Sequence, residues 1–309
     1  MTFTRKFHAL QSTARIPNLP SVVVNVWTGI VCGVMTVDDT FRVLSMPWHP
    51  FLMLAAAGVS LYGAGNFLND WMDRDWDRIH RPERALPAGE FAPGLYLAMA
   101  VACGLTGLGL ATAIRGSAGI TALGILSAIV IYTVWHKKTP WAVIPMGLCR
   151  ALLPIMGALG VSGQLSLLPA VFAMGLLCHI AGLSLSARYE SLANPPAGIA
   201  RLARLLFAAT TGLAIWVAAS WSGKFAAVSW IPYGVWILLC LTLWRKPVPL
   251  HVSKLLAGIP LADGIVLLAV FSGLAASGAG ASPLALGALL MPPLAFVLAI
   301  LLQRLAPAT

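Results

Sequence analysis

Four oxygen-bearing side chains stand close together in this chain: Asn69, Asp70, Asp73 and Asp77. On a helix turning about 100° per residue, with Asn69 at zero, Asp73 falls at about 40°, Asp77 at about 80° and Asp70 at about 100°, and Asn66 joins them at about 60°. Asp75, at about 240°, points elsewhere and is expected to take no part. Three carboxylates on one face repel one another unless a cation compensates. Mg²⁺ suits such a set, because it takes oxygen ligands, keeps several waters and commonly binds through one or two carboxylates together with substrate phosphates. Asn69, Asp70, Asp73 and Asp77 are therefore the expected metal ligands. Arg74, Arg81 and Arg84 follow within reach, and Lys137 and Lys138 lie further on. All of them are candidates for phosphate oxygens, with Arg suited to bidentate contact.

The elements that position these residues are membrane helices. Of 309 residues, 59% are hydrophobic and only 10% charged, far from the roughly 25% charged of soluble domains. A hydrocarbon core about 30 Å thick takes about 20 apolar residues per helix. Ten such windows run approximately over 18–36, 50–69, 93–113, 117–135, 141–160, 167–187, 200–220, 226–244, 253–274 and 284–304. The expected fold is all-α: a polytopic bundle of nine or ten transmembrane helices around a cavity open to the cytoplasmic side, with residues 1–309 forming one domain. The loop 69–92 holds four of the seven aspartates and two of the three glutamates.

The net charge of +10 follows topology and not a nucleic-acid partner. Arg5, Lys6, Arg15, Arg74, Arg78, Arg81, Arg84, Lys137, Lys138, Arg188, Arg201, Arg204, Arg245, Lys246, Lys254 and Arg304 fall on one side of the proposed spans, against Arg42, Arg115 and Lys224 on the other. By the positive-inside rule the first side is cytoplasmic, with both termini there if ten helices span. This places the chain in a membrane, a bacterial inner membrane being expected. Cys32, Cys103, Cys149, Cys178 and Cys240 have no CxxC spacing and are expected to be small core residues. No removable signal peptide is read at the N-terminus. A weak internal echo pairs Trp135-His136-Lys137-Lys138 with Trp244-Arg245-Lys246-Pro247.

Two ions stand deeper, Arg150 and Asp263, each roughly 15 Å from its cytoplasmic helix end at 1.5 Å per residue. Ions at that depth are normally paired or functional, so an Arg150–Asp263 ion pair, structural or orienting a substrate, is expected. Asn25 and His179 either line a pocket or make interhelical hydrogen bonds, the second being the expected role.

The pattern Asn69-x-x-x-Asp73-x-x-x-Asp77, with Arg81-Pro82-Glu83-Arg84-Ala85-Leu86-Pro87-Ala88-Gly89 after it, resembles the UbiA superfamily of intramembrane prenyltransferases. Tyr132 with Lys137 or Lys138 is similar to a further segment of that family. The resemblance implies Mg²⁺-dependent transfer of an isoprenyl group from a prenyl diphosphate to a lipophilic acceptor, among membrane lipids. It implies roles for Asn69, Asp73 and Asp77 in catalysis and for Tyr132 beside the substrates, where Asn66 and Asp70, by their helix face, and Arg150 and Asn25, by their depth, are further candidates. The family's second motif, D-x-x-x-D, is replaced here by Ser184-Leu185-Ser186-Ala187-Arg188-Tyr189-Glu190. Either Arg188, as a fixed cation, or Glu190, as a remaining oxygen ligand, takes its place. This substitution, with Met146-Gly147-Leu148-Cys149-Arg150, resembles the EboC-like branch. A CDP-alcohol phosphotransferase would need D-G-x-x-A-R, which is absent. The remaining alternative is a non-catalytic lipid-binding membrane protein or a transporter.

Overall fold

The structure, a computed structural model, describes residues 3–37, 48–189, 197–219, 228–243, 248–280 and 282–306. Among them all regular structure is helical. In chain order the α-helices are α1 (Phe3–Ala14), α2 (Leu19–Val37), α3 (Trp48–His80), α4 (Pro93–Ile114), α5 (Gly116–Trp135), α6 (Val143–Ser162), α7 (Leu167–Tyr189), α8 (Ala197–Ala219), α9 (Ile231–Thr242), α10 (Val248–Ala257), α11 (Ile259–Ala276) and α12 (Pro283–Leu302). Among the described residues nine stretches are long and apolar enough to cross a membrane. Two of these run through a break: Ala9–Met35 joins the end of α1 to α2 through a single 3-10 turn, and Leu250–Ala276 joins α10 to α11.

The window 226–244 departs from expectation. It yields α9, only 12 residues with a proline in its first turn, hence about 18 Å of helix against a core about 30 Å thick. Helix α12, the tenth apolar window, is by contrast a full 20 residues. The short element is therefore the eighth window and not the last. The second half of the internal echo, 244–247, lies outside the described residues.

Helix α3 is the longest element, with 33 residues and so about 50 Å in length. Its apolar part fills a membrane span, and the surplus at its C-terminal end carries the acidic stripe. Pro82 disfavours helix at the residue before it, and the helix stops at His80. The chain then turns back on itself, with Arg84 N–H bonded to Arg81 C=O at 3.1 Å and Glu90 N–H to Ala85 C=O at 3.0 Å. Gly89, at φ 71°, supplies the left-handed residue that this turn needs. Arg81 and Arg84 are thereby returned to the end of α3.

The centre of the bundle is α2, where Val22, Val26, Trp27 and Ile30 are fully buried. It lies almost backbone to backbone against α6. A Cβ at Gly29 would come within 2.0 Å of the Pro154 carbonyl oxygen, and one at Gly157 within 2.3 Å of the Val26 carbonyl oxygen. Small residues at a helix crossing permit such approach in a membrane, where packing must replace the hydrophobic drive. The proline inside α6 sits at this contact. The crossing sets Arg150 of α6 beside Asn25 of α2.

A wedge at this crossing is expected to loosen the bundle. Gly157→Val should cost about 1 to 3 kcal/mol, the usual range for overpacking, and lower the thermal unfolding midpoint in detergent by several degrees. Gly109→Ala, where an added Cβ meets nothing within 4 Å, should leave the midpoint unchanged; equal effects would refute the close α2–α6 contact.

Candidate active site

A cavity of about 530 Å³ opens among α3, α5, α6, α7 and α10. Its inner walls are apolar, formed by Leu61, Ile125, Ile129, Leu153, Ile180 and Leu183. Its outer rim is charged, with Asp73, Asp77, Arg15, Arg81, Arg84, His136 and Lys137. From Leu61 to Asp77 is sixteen residues of α3, so the cavity spans about 24 Å along that helix, from its polar end far into the apolar part.

The stripe of α3 faces this cavity. Asn66, Asn69, Asp73 and Asp77 all line it and are all buried. Asp73 forms an ion pair with Lys137, approaches His136 Nε2 at 3.2 Å, and accepts from Asn69 Nδ2 at 3.3 Å. Asp77 accepts from Arg84 Nη1 at 2.9 Å through Oδ2. Its other oxygen, Oδ1, and the Asn69 Oδ1 are buried without a hydrogen-bond partner. Unsatisfied buried oxygens are costly and call for explanation. They stand eight residues and so about 12 Å apart along α3, and a hard divalent cation beside each, not one shared by both, would satisfy them. Among the described residues no three His, Cys, Asp or Glu side chains converge as a complete metal cage. Two carboxylates and an amide oxygen instead suit an ion that keeps waters and shares phosphate oxygens, as Mg²⁺ does.

Asp70 does not join them. It is absent from the cavity wall and is held by two residues of the rim, Arg84 at 3.6 Å and Arg15 at 3.9 Å. The wheel placed it at the edge of the stripe, and the segments folded against that edge capture it. Asp75 is exposed and paired with Arg78 at 3.3 Å and Arg74 at 3.6 Å. Arg74 likewise leaves the cavity, its guanidinium 4.8 Å from the centre of the Trp71 ring. Lys138 is exposed and off the cavity wall. Lys137 does line it, with its ammonium 4.5 Å from the centre of the Trp76 ring, and Tyr132 stands beside it on the wall. Ser184 and Ala187 of α7 also line the cavity, so this stretch of the substituted second motif faces it without an acid. The Arg188 side chain and all of Glu190 lie outside the described residues.

The deeper ions are arranged differently from a direct pair. Asp263 accepts from Asn25 Nδ2 at 2.7 Å and from Thr28 Oγ1 at 2.6 Å. Asn25 in turn accepts from Arg150 Nη1 at 3.2 Å. Arg150 and Asp263 are thus linked through Asn25, which is fully buried behind the wall and does not line the cavity. An asparagine can bridge them because its amide has both a donor and an acceptor. Arg150 lines the cavity. His179 bonds to the Tyr233 hydroxyl at 2.8 Å and lies off the cavity wall, in the structural role expected of it.

Two residues of the charged rim escaped the sequence reading as site residues. His136 was visible only as part of the Trp135–Lys138 segment, and nothing there marks it as the neighbour of Asp73. Arg15 had the look of topological charge, yet a left-handed backbone at φ 46° turns the chain between α1 and α2. Its guanidinium reaches Asn66 Oδ1 at 3.2 Å. That positive φ in a non-glycine residue is a structural signal that sequence does not carry.

The chain is similar to known proteins in sequence and in fold. A digeranylgeranylglyceryl phosphate synthase from Methanoculleus marisnigri is 28% identical over 234 residues, which cover 75% of this chain and 77% of that one. A protoheme IX farnesyltransferase from Jannaschia sp. is 33% identical over 111 residues, 34% of this chain and 36% of that one. The solved apo structure of a UbiA homolog from Aeropyrum pernix K1 has the same fold, with a TM-score of 0.64 over 85% of this chain and 98% of that one at 20% identity. Residues 26–254, spanning the acidic stripe, most of the cavity lining and α10 as far as Lys254, match the model of the UbiA prenyltransferase family, and the chain belongs to that family.

Proposed function

We propose that this prenyltransferase binds a prenyl diphosphate with its diphosphate at the charged rim and its isoprenoid chain along the apolar walls, and transfers the isoprenyl group to an acceptor held in the same cavity. The observation that carries this is the junction of the two surfaces: buried oxygens of Asn69 and Asp77 without partners at the end of a cavity walled inward by Leu61, Ile125 and Leu153. Arg81, Arg84 and Lys137 are placed to hold diphosphate oxygens by charge-assisted hydrogen bonds. Trp76, stacked on His80 and under the Lys137 ammonium, and Tyr132, stacked on His136, line the cavity beside them, so polarisable rings stand near the carbon that becomes cationic. The apolar walls exclude water that would otherwise capture it.

Asn69, Asp73 and Asp77 would hold Mg²⁺ together with the diphosphate, and the ion would supply positive charge to the leaving oxygens. In the transfer the bond between C1 of the isoprenyl group and the diphosphate oxygen breaks, and both electrons leave with the diphosphate. A bond then forms from the acceptor to C1, and the acceptor's displaced proton passes to water at the rim. The mouth is placed on the cytoplasmic side, where the positive-inside rule puts Arg81, Arg84 and Lys137. The relatives named digeranylgeranylglyceryl phosphate synthase and protoheme IX farnesyltransferase support a prenyl donor without choosing the acceptor. The acid-free wall at Ser184 and Ala187 supports the EboC-like branch, and whether Arg188 or Glu190 takes over from the second motif is left to the substitution of each.

Purified protein in detergent should release pyrophosphate from radiolabelled prenyl diphosphates of several lengths in the presence of Mg²⁺ and acceptor-containing membrane extract, and lose that release with EDTA. Release unaffected by chelation would rule out the metal. Asp77→Asn and Asp73→Asn should each lower turnover by about 100-fold or more, in the range seen when one preorganised charge-stabilising group is removed. Asp70→Asn, altering a carboxylate outside the cavity, should cost no more than about tenfold, and steady-state kinetics in which Asp70 proved as damaging as Asp77 would contradict the division of the stripe.

A further inference from the structure

His136 stands at the rim with its ring held in place from two directions. Its Nδ1 lies 3.0 Å from the Thr133 carbonyl oxygen, one of the last carbonyls of α5, which have no partner within the helix itself. The ring stacks on Tyr132, with centroids 5.1 Å apart and planes at 30°. A carbonyl oxygen only accepts, so Nδ1 carries a proton, and in the neutral imidazole the lone pair is on Nε2. That nitrogen is 3.2 Å from Asp73 Oδ2, a second acceptor, and both residues line the cavity.

Two acceptors facing each other at this distance repel unless a proton or a metal ion answers both. Neighbouring ligands of an octahedral divalent ion, each about 2.1 Å from its centre, stand about 3 Å apart, which is close to the separation of Nε2 from Oδ2. A histidine that coordinates through one nitrogen commonly gives its other N–H to a backbone carbonyl, which fixes the tautomer and the ring plane; His136 has that second bond in place. The Asn69 amide converges on the same carboxylate oxygen, its Nδ2 3.3 Å from Asp73 Oδ2, and its Oδ1 is buried without a partner. The other oxygen of Asp73 is paired with Lys137. Among the described residues the cavity wall has only two carboxylates, Asp73 and Asp77, so a neutral ligand arriving from the end of α5 raises the number of protein ligands beside Asn69 and Asp73 without adding charge.

We infer that His136 is a direct metal ligand through Nε2, completing with Asn69 and Asp73 a mixed nitrogen and oxygen set that takes first-row transition ions such as Co²⁺ in preference to Mg²⁺. This rests on the divalent-metal reading above and deepens it. Imidazole nitrogen adds little for Mg²⁺, which favours oxygen, and much more for Co²⁺. Mg²⁺ remains a usable ion through the oxygens, and His136 sets the order of preference.

The test uses the full chain without an affinity tag, in lipid nanodiscs, with one equivalent of Mn²⁺ and geranyl diphosphate. Pulsed electron paramagnetic resonance reads the nuclei bound to Mn²⁺. The spectrum should show a directly coordinated ¹⁴N, which becomes ¹⁵N when only the histidines are labelled. His136→Gln should remove the nitrogen signal, and His80→Gln, at an exposed histidine off the cavity wall, should leave it. By calorimetry in the presence of geranyl diphosphate, Co²⁺ should bind about tenfold or more tightly than Mg²⁺, and His136→Gln should remove most of that difference. A histidine that only hydrogen-bonds to Asp73 would instead lower both affinities in the same proportion. Should the variant fail to fold, the labelled wild-type chain decides alone, because His136 is the only histidine on the cavity wall among the described residues. Bound Mn²⁺ without a histidine nitrogen, or a nitrogen signal that survives His136→Gln, overturns the inference and leaves the metal reading standing. Failure of Mn²⁺ to bind with the diphosphate overturns the metal reading itself.

Discussion

An ion placed at the depth of a lipid bilayer must have something to answer its charge. On insertion scales a single Asp, Lys or Arg at a helix centre costs about 2.5 to 3.5 kcal/mol, and the inner part of this bundle is arranged around that constraint. Asp263, at that depth, is met by Asn25 and Thr28; at the polar end of α3, where the protein itself excludes water, Asp73 is met by Lys137 and His136 and Asp77 by Arg84 on one oxygen only. At the cavity, two buried oxygens of the rim lack partners, and the guanidinium at the base has only neutral hydrogen-bond acceptors. Charge left open where substrate enters is how such a protein binds polar groups inside a membrane.

The architecture serves that placement. Helix α3 outruns the bilayer, so one continuous element carries both the apolar wall at Leu61 and the acids at Asp73 and Asp77. A rigid helix keeps the two at fixed separation, as a group-transfer site needs if the leaving group and the hydrocarbon chain are to be held at once. The glycine-mediated crossing of α2 and α6 does the same for the inner end. It brings Asn25 to Arg150, and α11, beyond the region matched by the family model, completes the network with Asp263.

Much of the rim was legible in the sequence because it depends on one period. Asn66, Asn69, Asp73 and Asp77 share a helical face, and they share the cavity wall. Asp70 lies on the same arc and is lost to the site, since Arg15 and Arg84 reach it from segments whose path no periodicity describes. Equal depth suggested that Arg150 and Asp263 meet, and they do so only through Asn25. Depth along a helix can be counted from sequence, whereas lateral distance between helices depends on packing. His136 was silent for the same reason. The apolar windows located nine spans, but a hydropathy window does not register the shortness of α9, because hydropathy measures composition and not where a helix begins and ends.

The central claim, that Asn69, Asp73 and Asp77 hold divalent metal together with the diphosphate, is most directly tested by crystals grown with Mn²⁺ and geranyl diphosphate and measured at the manganese absorption edge. The account predicts an anomalous peak at the cavity rim within coordination distance of Asn69, Asp73 or Asp77 oxygens and of a diphosphate oxygen. A bound diphosphate with no peak there, or a peak at the exposed Asp75 alone, would contradict it.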